Sequence, residues 1–446
     1  MEANLLGALE AAEAIREGQI SSEELIRACL SRIEESEESI GAWAFLDPEY
    51  ALEQARNADQ IRSRGGSTGP LHGVPVGIKD IIDTADMPTE YGTVIHSGNR
   101  PFKDATLVAL LREAGALILG KTVTTELAVL SPGKTRNPHN PDYTPGGSSS
   151  GSAAAVAAGM IPLAVGTQTN GSVIRPASFC GVFGFKPTFG KISRFQVLKQ
   201  SPALDTIGVF ARSLEDLALI GEVLITYDQQ DPAMKPSARM PLLQTMAEDP
   251  PVDPDFAFIR TPAWNQVNES AKDAFRELIE HSRQRGVHLE IIELPGAFDD
   301  VYEVHRQIME ADLAKNFDKE YRDSKKQLSS VLCELIERGQ KVLATEYNTA
   351  LERAAEYNEM LNEIFEEYDA ILTPSTTGEA PKSLETTGSP VFCTIWTLCG
   401  VPALNLPVLQ GENTMPIGVQ LLSKKGDDAR LFRTAAHLMK TIGEEQ

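Results

Sequence analysis

Two loops rich in glycine and hydroxyl groups are the part of this sequence best suited to chemistry. The first, GGSSSGS at residues 146–152, leads into an alanine-rich stretch that predicts a helix, so it offers free backbone N–H groups and the positive end of a helix dipole. The second, TQTNGS at residues 167–172, places Gly171 beside Ser172, and the missing side chain lets the backbone approach a substrate closely. Consecutive N–H groups in such a loop can form an oxyanion hole.

Lys79 is the best candidate for a base that is remote in sequence from these serines. A serine hydroxyl is a poor nucleophile unless a base lies within hydrogen-bonding reach. Lys79 ends the apolar run at residues 73–78, where a long cation is unexpected, and burial there would lower its pKa toward the range useful to a base. The neighbouring Asp80 would hold the loop or offset the charge. The residues alone therefore predict a lysine-assisted serine site without deciding which serine is the nucleophile.

An alternative nucleophile is Ser149, because residues 147–151 also fit the G-x-S-x-G pattern of a nucleophile elbow. That elbow requires a strand directly before the serine, whereas PDYTP at residues 141–145 predicts a turn, and no later histidine has a distinctive setting. The seven histidines are scattered without metal-ligand spacing, so no metal site is predicted, and His72 is interpreted as structural.

Several sequence motifs, in order along the chain, resemble those of the amidase signature family of serine hydrolases. Spaced motifs in a fixed order are far more specific than any one of them alone. The resemblance covers nearly the whole chain apart from roughly residues 226 to 360, and it implies an α/β fold with a central mixed, twisted sheet covered by helices on both faces. The motifs are GVPVGIKD at 73–80, GGSSSGS at 146–152, GSVIRPA at 171–177, FCGVFGFKPT at 179–188, VPA at 401–403 and MPIGVQ at 415–420.

The resemblance implies a Ser-Ser-Lys triad that acts without a metal or cofactor. Ser172 would form the acyl-enzyme and Lys79 would be the ultimate base. Ser148 would follow a cis peptide bond and relay the proton between them. Further residues would form the oxyanion hole or bind the substrate: Thr169, Asn170, Gly171 and Ser172 through their backbone, with Gly147 and Ser149 beside them.

Several positions depart from the common family pattern. Gln168 replaces an aspartate, which looks like the malonamidase-like subset of bacterial amidases, and Asn170 replaces a small residue in the oxyanion loop. Asparagine tolerates left-handed backbone geometry, so the loop can survive while the side chain narrows the site or adds a donor. Ser150 stands where glycine is frequent. Arg175 either binds a substrate carboxylate, as in that subset, or forms a structural ion pair with a nearby acid, and both interpretations stay open.

The whole chain, residues 1–446, is expected to form one domain that positions these residues. A helical packing segment at 1–60 precedes a catalytic core at 70–190, where short apolar runs alternate with glycine, proline and serine. A variable, largely helical insertion on the substrate side spans 226–368. The part at 369–446 returns to strand-like patterns, and strands that return after a helical insert predict that the tail completes the same sheet.

Composition excludes several classes of function. The formal net charge of −22 disfavours nucleic acids and anionic membrane surfaces, which bind through clustered lysine and arginine. There is no apolar run long enough to span a membrane and no secretory leader pattern, so a cytoplasmic location is expected. The five cysteines are odd in number and contain no C-x-x-C pair, which favours neither disulfides nor a zinc site.

The sequence thus predicts an amidase that cleaves small carboxylic amides, and the same acyl-enzyme chemistry extends to esters, anilides and carbamates. A homodimer is left open. The principal alternative is a glutaminase-type subunit of a tRNA-dependent amidotransferase, which works only with a partner. The acidic composition and the departures in the oxyanion loop argue against it. An inactive scaffold is disfavoured because all three triad positions are filled.

Overall fold

The short apolar runs of the sequence form the strands of one mixed sheet. The computed structural model describes residues 2–443. Its strands are β1 Trp43–Leu46, β2 Pro75–Lys79, β3 Leu117–Thr122, β4 Leu163–Gln168, β5 Phe183–Lys186, β6 Thr206–Ala211, β7 Asp255–Arg260, β8 His288–Glu293, β9 Ala370–Pro374, β10 Ala403–Gln410 and β11 Pro416–Leu422. Within the described residues they form a single sheet of 11 strands in the order β1-β3-β2-β4-β6-β5-β10-β11-β9-β7-β8.

Helices lie before, between and after these strands along the chain. None of the helices in residues 2–443 is long and apolar enough to cross a membrane. Their bounds are α1 Ala8–Glu17, α2 Ser22–Ile40, α3 Pro48–Ser63, α4 Thr106–Glu113, α5 Ser150–Ala157, α6 Ile174–Cys180, α7 Leu214–Leu224, α8 Leu242–Met246, α9 Glu269–Gln284, α10 Val301–Asn316, α11 Asp318–Ser324, α12 Ser330–Gly339, α13 Ala344–Glu367, α14 Val391–Cys399 and α15 Asp428–Gly443.

Helices cover both faces of the sheet, because successive strand residues point to opposite sides. In β4, Leu163 and Val165 join an apolar cluster with residues of α4, α7 and α15, whereas Ala164 joins a second cluster with residues of α3 and α5. The expected α/β architecture, a mixed sheet with helices on both faces, is confirmed.

The parallel centre of the sheet brings two chain segments to one edge. Strand β2 pairs in parallel with β3 on one side and with β4 on the other, and Ile78 lies opposite Val165. The carboxyl ends of parallel strands meet at the same edge of a sheet. Lys79 at the end of β2 and Thr167 near the end of β4 are therefore neighbours.

The segment at 226–368 differs from the expected helical insertion. It does contain α9 to α13, but β7 and β8 also lie within it and extend the sheet, with β7 pairing in parallel with β9. A strand of six residues is too short to be distinguished from a helical segment by periodicity alone. The segment therefore contributes to the sheet as well as to its cover.

Candidate active site

Lys79 lies at the point where β2 and β4 end side by side. Its side chain is fully buried. The Nζ atom lies 2.8 Å from the Oγ of Ser148 and 2.8 Å from the Oγ1 of Thr167. The parallel pairing of two neighbouring strands thus brings a lysine into contact with two hydroxyls that are far from it in sequence.

Burial changes the acid–base behaviour of Lys79. Removal from water disfavours the ammonium form and holds the pKa of Lys79 well below its ordinary value. The carboxylate of Asp205 partly opposes this shift, and the guanidinium of Arg175 adds to it. A neutral amine has a lone pair, so it can accept the Ser148 proton across the 2.8 Å contact.

Hydrogen bonds fix the backbone on both sides of Ser148. The peptide bond between Gly147 and Ser148 is cis. The Gly147 carbonyl accepts hydrogen bonds from Nε and Nη2 of Arg175 at 3.2 and 2.6 Å, and the Ser148 carbonyl accepts one from the Thr125 N–H at 3.3 Å. With both carbonyls engaged, the Ser148 hydroxyl has a defined direction toward Lys79.

Ser149 has a different environment from its neighbour. Its hydroxyl donates to the Thr167 carbonyl and accepts from the Thr167 N–H, both at 3.2 Å, and the residue is fully buried. No strand precedes it within residues 141–149. Ser149 therefore ties the first loop to β4, and its hydroxyl is committed to backbone rather than offered to a substrate. The arrangement thus lacks the strand that a nucleophile elbow requires.

The loop at residues 169–172 has three successive carbonyls that are each held by a donor. The donors come from α10, α14 and α6. The Thr169 carbonyl accepts from His305 Nε2 at 3.1 Å, the Asn170 carbonyl from the Thr397 hydroxyl, and the Gly171 carbonyl from the Arg175 N–H at 3.0 Å.

These carbonyl contacts determine where the N–H groups of the loop point. In a trans peptide the C=O and the following N–H point in opposite directions. The N–H groups of Asn170, Gly171 and Ser172 therefore point away from the three donors, and none has an acceptor among the described residues. Clustered free N–H groups are suited to hold an anion. Ser172 beside them is 7% exposed, and its hydroxyl has no hydrogen-bond partner within residues 2–443, Ser148 included.

Gln168 takes the place where many amidases have aspartate, and it makes two kinds of contact. Its Oε1 accepts from the N–H groups of Val173 and Ile174 at 2.8 and 3.0 Å, which caps the start of α6. Its Nε2 donates a hydrogen bond to Thr397 Oγ1 at 2.9 Å, whereas an ionised carboxylate has no hydrogen to donate. Gln168 thus keeps the acceptor and adds a donor.

Asn170 is anchored through the oxygen of its side-chain amide, whose Nδ2 has no acceptor among residues 2–443. Its Oδ1 accepts from the Thr394 hydroxyl at 2.7 Å. The side-chain oxygen is therefore turned toward α14. This contact tethers the loop to the same helix that supplies Thr397.

Arg175 is buried against the backbone of two loops. Its side chain is 1% exposed, and Nη1 donates to the Gly388 carbonyl at 2.6 Å while Nε and Nη2 hold Gly147. It forms no ion pair within residues 2–443, so that interpretation is wrong. Burial lowers the pKa of Arg175 to about 10. Nε, Nη1 and Nη2 each donate one N–H to these carbonyls, and Nη1 and Nη2 each carry a second N–H that has no acceptor within residues 2–443.

A cavity of about 500 Å³ reaches the site at Thr167 and Thr169. Its wall includes Asp205, whose carboxylate accepts from the Thr169 hydroxyl at 2.7 Å and from the N–H groups of Gln200 and Ser201, each at 3.0 Å. Burial raises the pKa of Asp205 to about 6. Apolar side chains make up much of the remaining wall: Ile81, Tyr91, Phe195, Leu198 and Phe317.

Sequence reasoning missed His305, Thr397 and Asp205, because each comes from an element far along the chain. One signal existed for His305. It lies on the apolar stripe of α10 with Val301, Val304 and Ile308, a spacing that places it in the core. His72, by contrast, bonds the Ala58 carbonyl at 3.1 Å, which agrees with the structural interpretation. Within the described residues, no group of three or more His, Cys, Asp or Glu side chains could hold a metal ion.

Comparison with known proteins places the chain among amidases. The family profile described as Amidase matches residues 24–432. A glutamyl-tRNA(Gln) amidotransferase subunit from Chloroflexus aggregans is 33% identical over 94% of this chain and 93% of its own length. The structure of the peptide amidase from Stenotrophomonas maltophilia aligns with a TM-score of 0.86 at 28% identity, covering 99% of this chain and 98% of that one. A 6-aminohexanoate cyclic dimer hydrolase aligns with a TM-score of 0.88 at 26% identity, covering 100% and 98%.

Proposed function

This chain belongs to the amidase signature family, whose members hydrolyse C–N bonds, and we propose that it cleaves carboxylic amides through an acyl-enzyme on Ser172. The observation that carries the proposal is the contact of Lys79 Nζ with Ser148 Oγ at 2.8 Å in a fully buried setting. The lowered pKa of Lys79 supports the role of base. The free N–H groups beside Ser172 support the role of that serine as nucleophile.

The proposed reaction begins when the Ser172 oxygen attacks the amide carbon. The Ser172 proton passes to the Ser148 oxygen, whose own proton passes to the neutral amine of Lys79. The negative charge that develops on the substrate oxygen is stabilised by the N–H groups of Asn170, Gly171 and Ser172. As the C–N bond breaks, Lys79 returns a proton through Ser148 to the leaving amine.

Hydrolysis of the acyl-enzyme completes the cycle. Water attacks the ester carbon, gives its proton to Ser148 and Lys79, and Ser172 leaves with a proton restored to its oxygen. No step depends on the nature of the leaving group except its need for that proton. Esters, anilides and carbamates are therefore included in the proposed substrate range.

The cavity suggests an uncharged substrate with an apolar part. Its wall carries the acids Asp83, Asp205, Asp231 and Glu320 but only two bases, Arg194 and Lys199. Arg194 is occupied, because it bonds both carboxylate oxygens of Asp231 at 2.9 Å. The excess of carboxylates disfavours an anionic substrate by Coulomb repulsion. A carboxylate-bearing half-amide is therefore the least favoured type.

Covalent labelling of the nucleophile tests the proposal. A fluorophosphonate should label the wild-type protein on the peptide that contains Ser172, and Ser172→Ala should abolish both labelling and turnover of a neutral anilide. Ser149→Ala should keep the label, since that hydroxyl bonds Thr167. Labelling elsewhere, or turnover by Ser172→Ala above the uncatalysed rate, would contradict the assignment.

A second candidate function is that of a glutaminase subunit within an amidotransferase. It is favoured by the relative of that name at 33% identity over 94% of the chain. The discriminating assay measures ammonia release from glutamine by the purified chain, alone and with the other components of the amidotransferase present. An amidase of the proposed type hydrolyses small neutral amides alone. Activity that appears only with glutamine and those components would favour the second candidate.

A further inference from the structure

We infer that Gln168, Thr397 and His305 are positioning residues that aim the N–H groups of the 169–172 loop at the substrate oxygen. The inference rests on the proposed function, since it assigns the geometry of that same site to three side chains. Two of them lie outside the motif-bearing loops, on α14 and α10. The three act on two successive peptide groups, Thr169–Asn170 and Asn170–Gly171.

The role of Gln168 begins with the orientation of its amide. Because Oε1 faces two N–H donors, Val173 and Ile174, the amide can have only one orientation, and Nε2 must face Thr397. Thr397 Oγ1 therefore accepts from Gln168. A hydroxyl has a single hydrogen, and here that hydrogen is left to donate to the Asn170 carbonyl. The chain of bonds holds this carbonyl outward and directs the Gly171 N–H inward.

His305 acts in the same way on the preceding peptide. The Thr169 carbonyl can only accept, so Nε2 of His305 must carry the proton across the 3.1 Å contact. Burial lowers the pKa of His305 to about 4, so the ring is neutral near pH 7 and this one N–H is its donor. The contact directs the Asn170 N–H toward the site. A residue of the variable segment at 226–368 thus orients a catalytic peptide group.

Isosteric substitutions test the Thr397 link. Thr397→Val removes the donor at nearly constant volume, and Gln168→Glu replaces the Nε2 donor by an acceptor that would capture the Thr397 hydrogen. Both should lower kcat for a neutral anilide about 10- to 100-fold, less than complete loss of an oxyanion donor, with KM changed less than about threefold. Thr397→Ser keeps the hydroxyl and should restore most of kcat. Thr434 is a buried threonine on α15, and Thr434→Val is the control for replacing a buried threonine hydroxyl by a methyl group.

His305 offers a matched pair with the remote His72, which is also buried and also bonds a carbonyl. His305→Leu should lower kcat about 10-fold or more, and His305→Gln, which keeps a donor, should recover part of it. His72→Leu should leave kcat within about twofold. The thermal midpoint of every variant shows whether it is folded at the assay temperature.

Affinity for a transition-state mimic separates positioning from a purely structural role. A trifluoromethyl ketone forms a tetrahedral adduct on the nucleophile, so its affinity should fall in parallel with kcat in Thr397→Val, Gln168→Glu and His305→Leu. A raised KM with kcat unchanged, or an unchanged affinity for the ketone, would overturn the inference. If Ser172→Ala stays active, the proposed function itself fails. If Ser172→Ala is inactive while the three variants match wild type, only this inference fails.

Discussion

Replacement of Lys79 by methionine is the most direct test of the proposed base. Methionine is similar in length, so the change removes the amine while it keeps much of the packing of a fully buried side chain. It leaves the hydroxyls of Ser148 and Thr167 without their 2.8 Å partner but introduces no buried charge. We therefore expect Lys79→Met to fold and to lose activity.

The expected magnitude follows from the loss of general-base catalysis, which contributes about 10² to 10⁴ in rate. That range corresponds to about 3 to 5 kcal/mol of transition-state stabilisation. Water does not readily replace the amine, because the position is closed to solvent. A loss of kcat/KM within this range, with a thermal midpoint near that of wild type, is the expected result.

The pH profile gives the second readout. Below its pKa, Lys79 carries a proton and cannot accept another, so activity of the wild type should rise with pH as the ammonium ionises. Because burial holds this pKa well below the ordinary lysine value, the rise should finish at a lower pH than an exposed lysine would give. In Lys79→Met the rise should be absent. A retained rise, or a loss of less than about 10-fold, would refute the assignment of Lys79 as the base.

Further predictions concern residues whose roles the structure separates. Ser148→Ala should lower kcat for anilide hydrolysis at least about 100-fold. Ser149→Ala should lower the free energy of unfolding, measured with urea, by about 1 kcal/mol and should have a much smaller effect on kcat. Arg175→Met should lower the free energy of unfolding by about 1 to 3 kcal/mol, because the buried Gly147 carbonyl loses its donors. It should not change the ratio of the hydrolysis rates of a neutral amide and a dicarboxylic half-amide. A selective loss of activity on the half-amide would support the carboxylate-binding role instead. Burial lowers the pKa of His305 from 6.5 to about 4, so the unfolded state binds more protons than the folded state between those pH values. The contribution of His305 to stability is therefore present above pH 6.5, and about 3 kcal/mol of it is lost as pH falls toward 4. His305→Gln should flatten the dependence of the thermal midpoint on pH in this range, and an unchanged dependence would contradict the prediction.

Much of the fold was readable from local patterns. Apolar runs predicted the strands that became β4, β9, β10 and β11, and helical periodicity predicted α9 to α13, because these patterns reflect which faces are buried. The strands β7 and β8 were missed within the segment at 226–368. Strand β7 pairs with β9 and the edge strand β8 pairs with β7, and these contacts between strands are not contained in the local sequence.

The site divides in the same way. Residue types and spacing located the two loops and the odd position of Lys79, and the resemblance to amidases assigned their roles. The ion pair allowed for Arg175 was wrong because its partners, the carbonyls of Gly147 and Gly388, are backbone groups that any residue type supplies. His305 was overlooked because its partner Thr169 lies far from it along the chain.

The sequence by itself determined which chemical groups are available: serine hydroxyls, a lysine at the end of an apolar run, and glycine-containing loops with free N–H groups. Only the tertiary structure shows why the lysine meets Ser148, the relay that the resemblance implied, and not the adjacent Ser149. The parallel register of β2 and β4 brings Lys79 to Ser148 and Thr167, while the same loop turns the Ser149 hydroxyl to the Thr167 backbone. Two adjacent residues share the same local sequence, but their side chains point in different directions. Those directions are fixed by how the strands pair rather than by residue type.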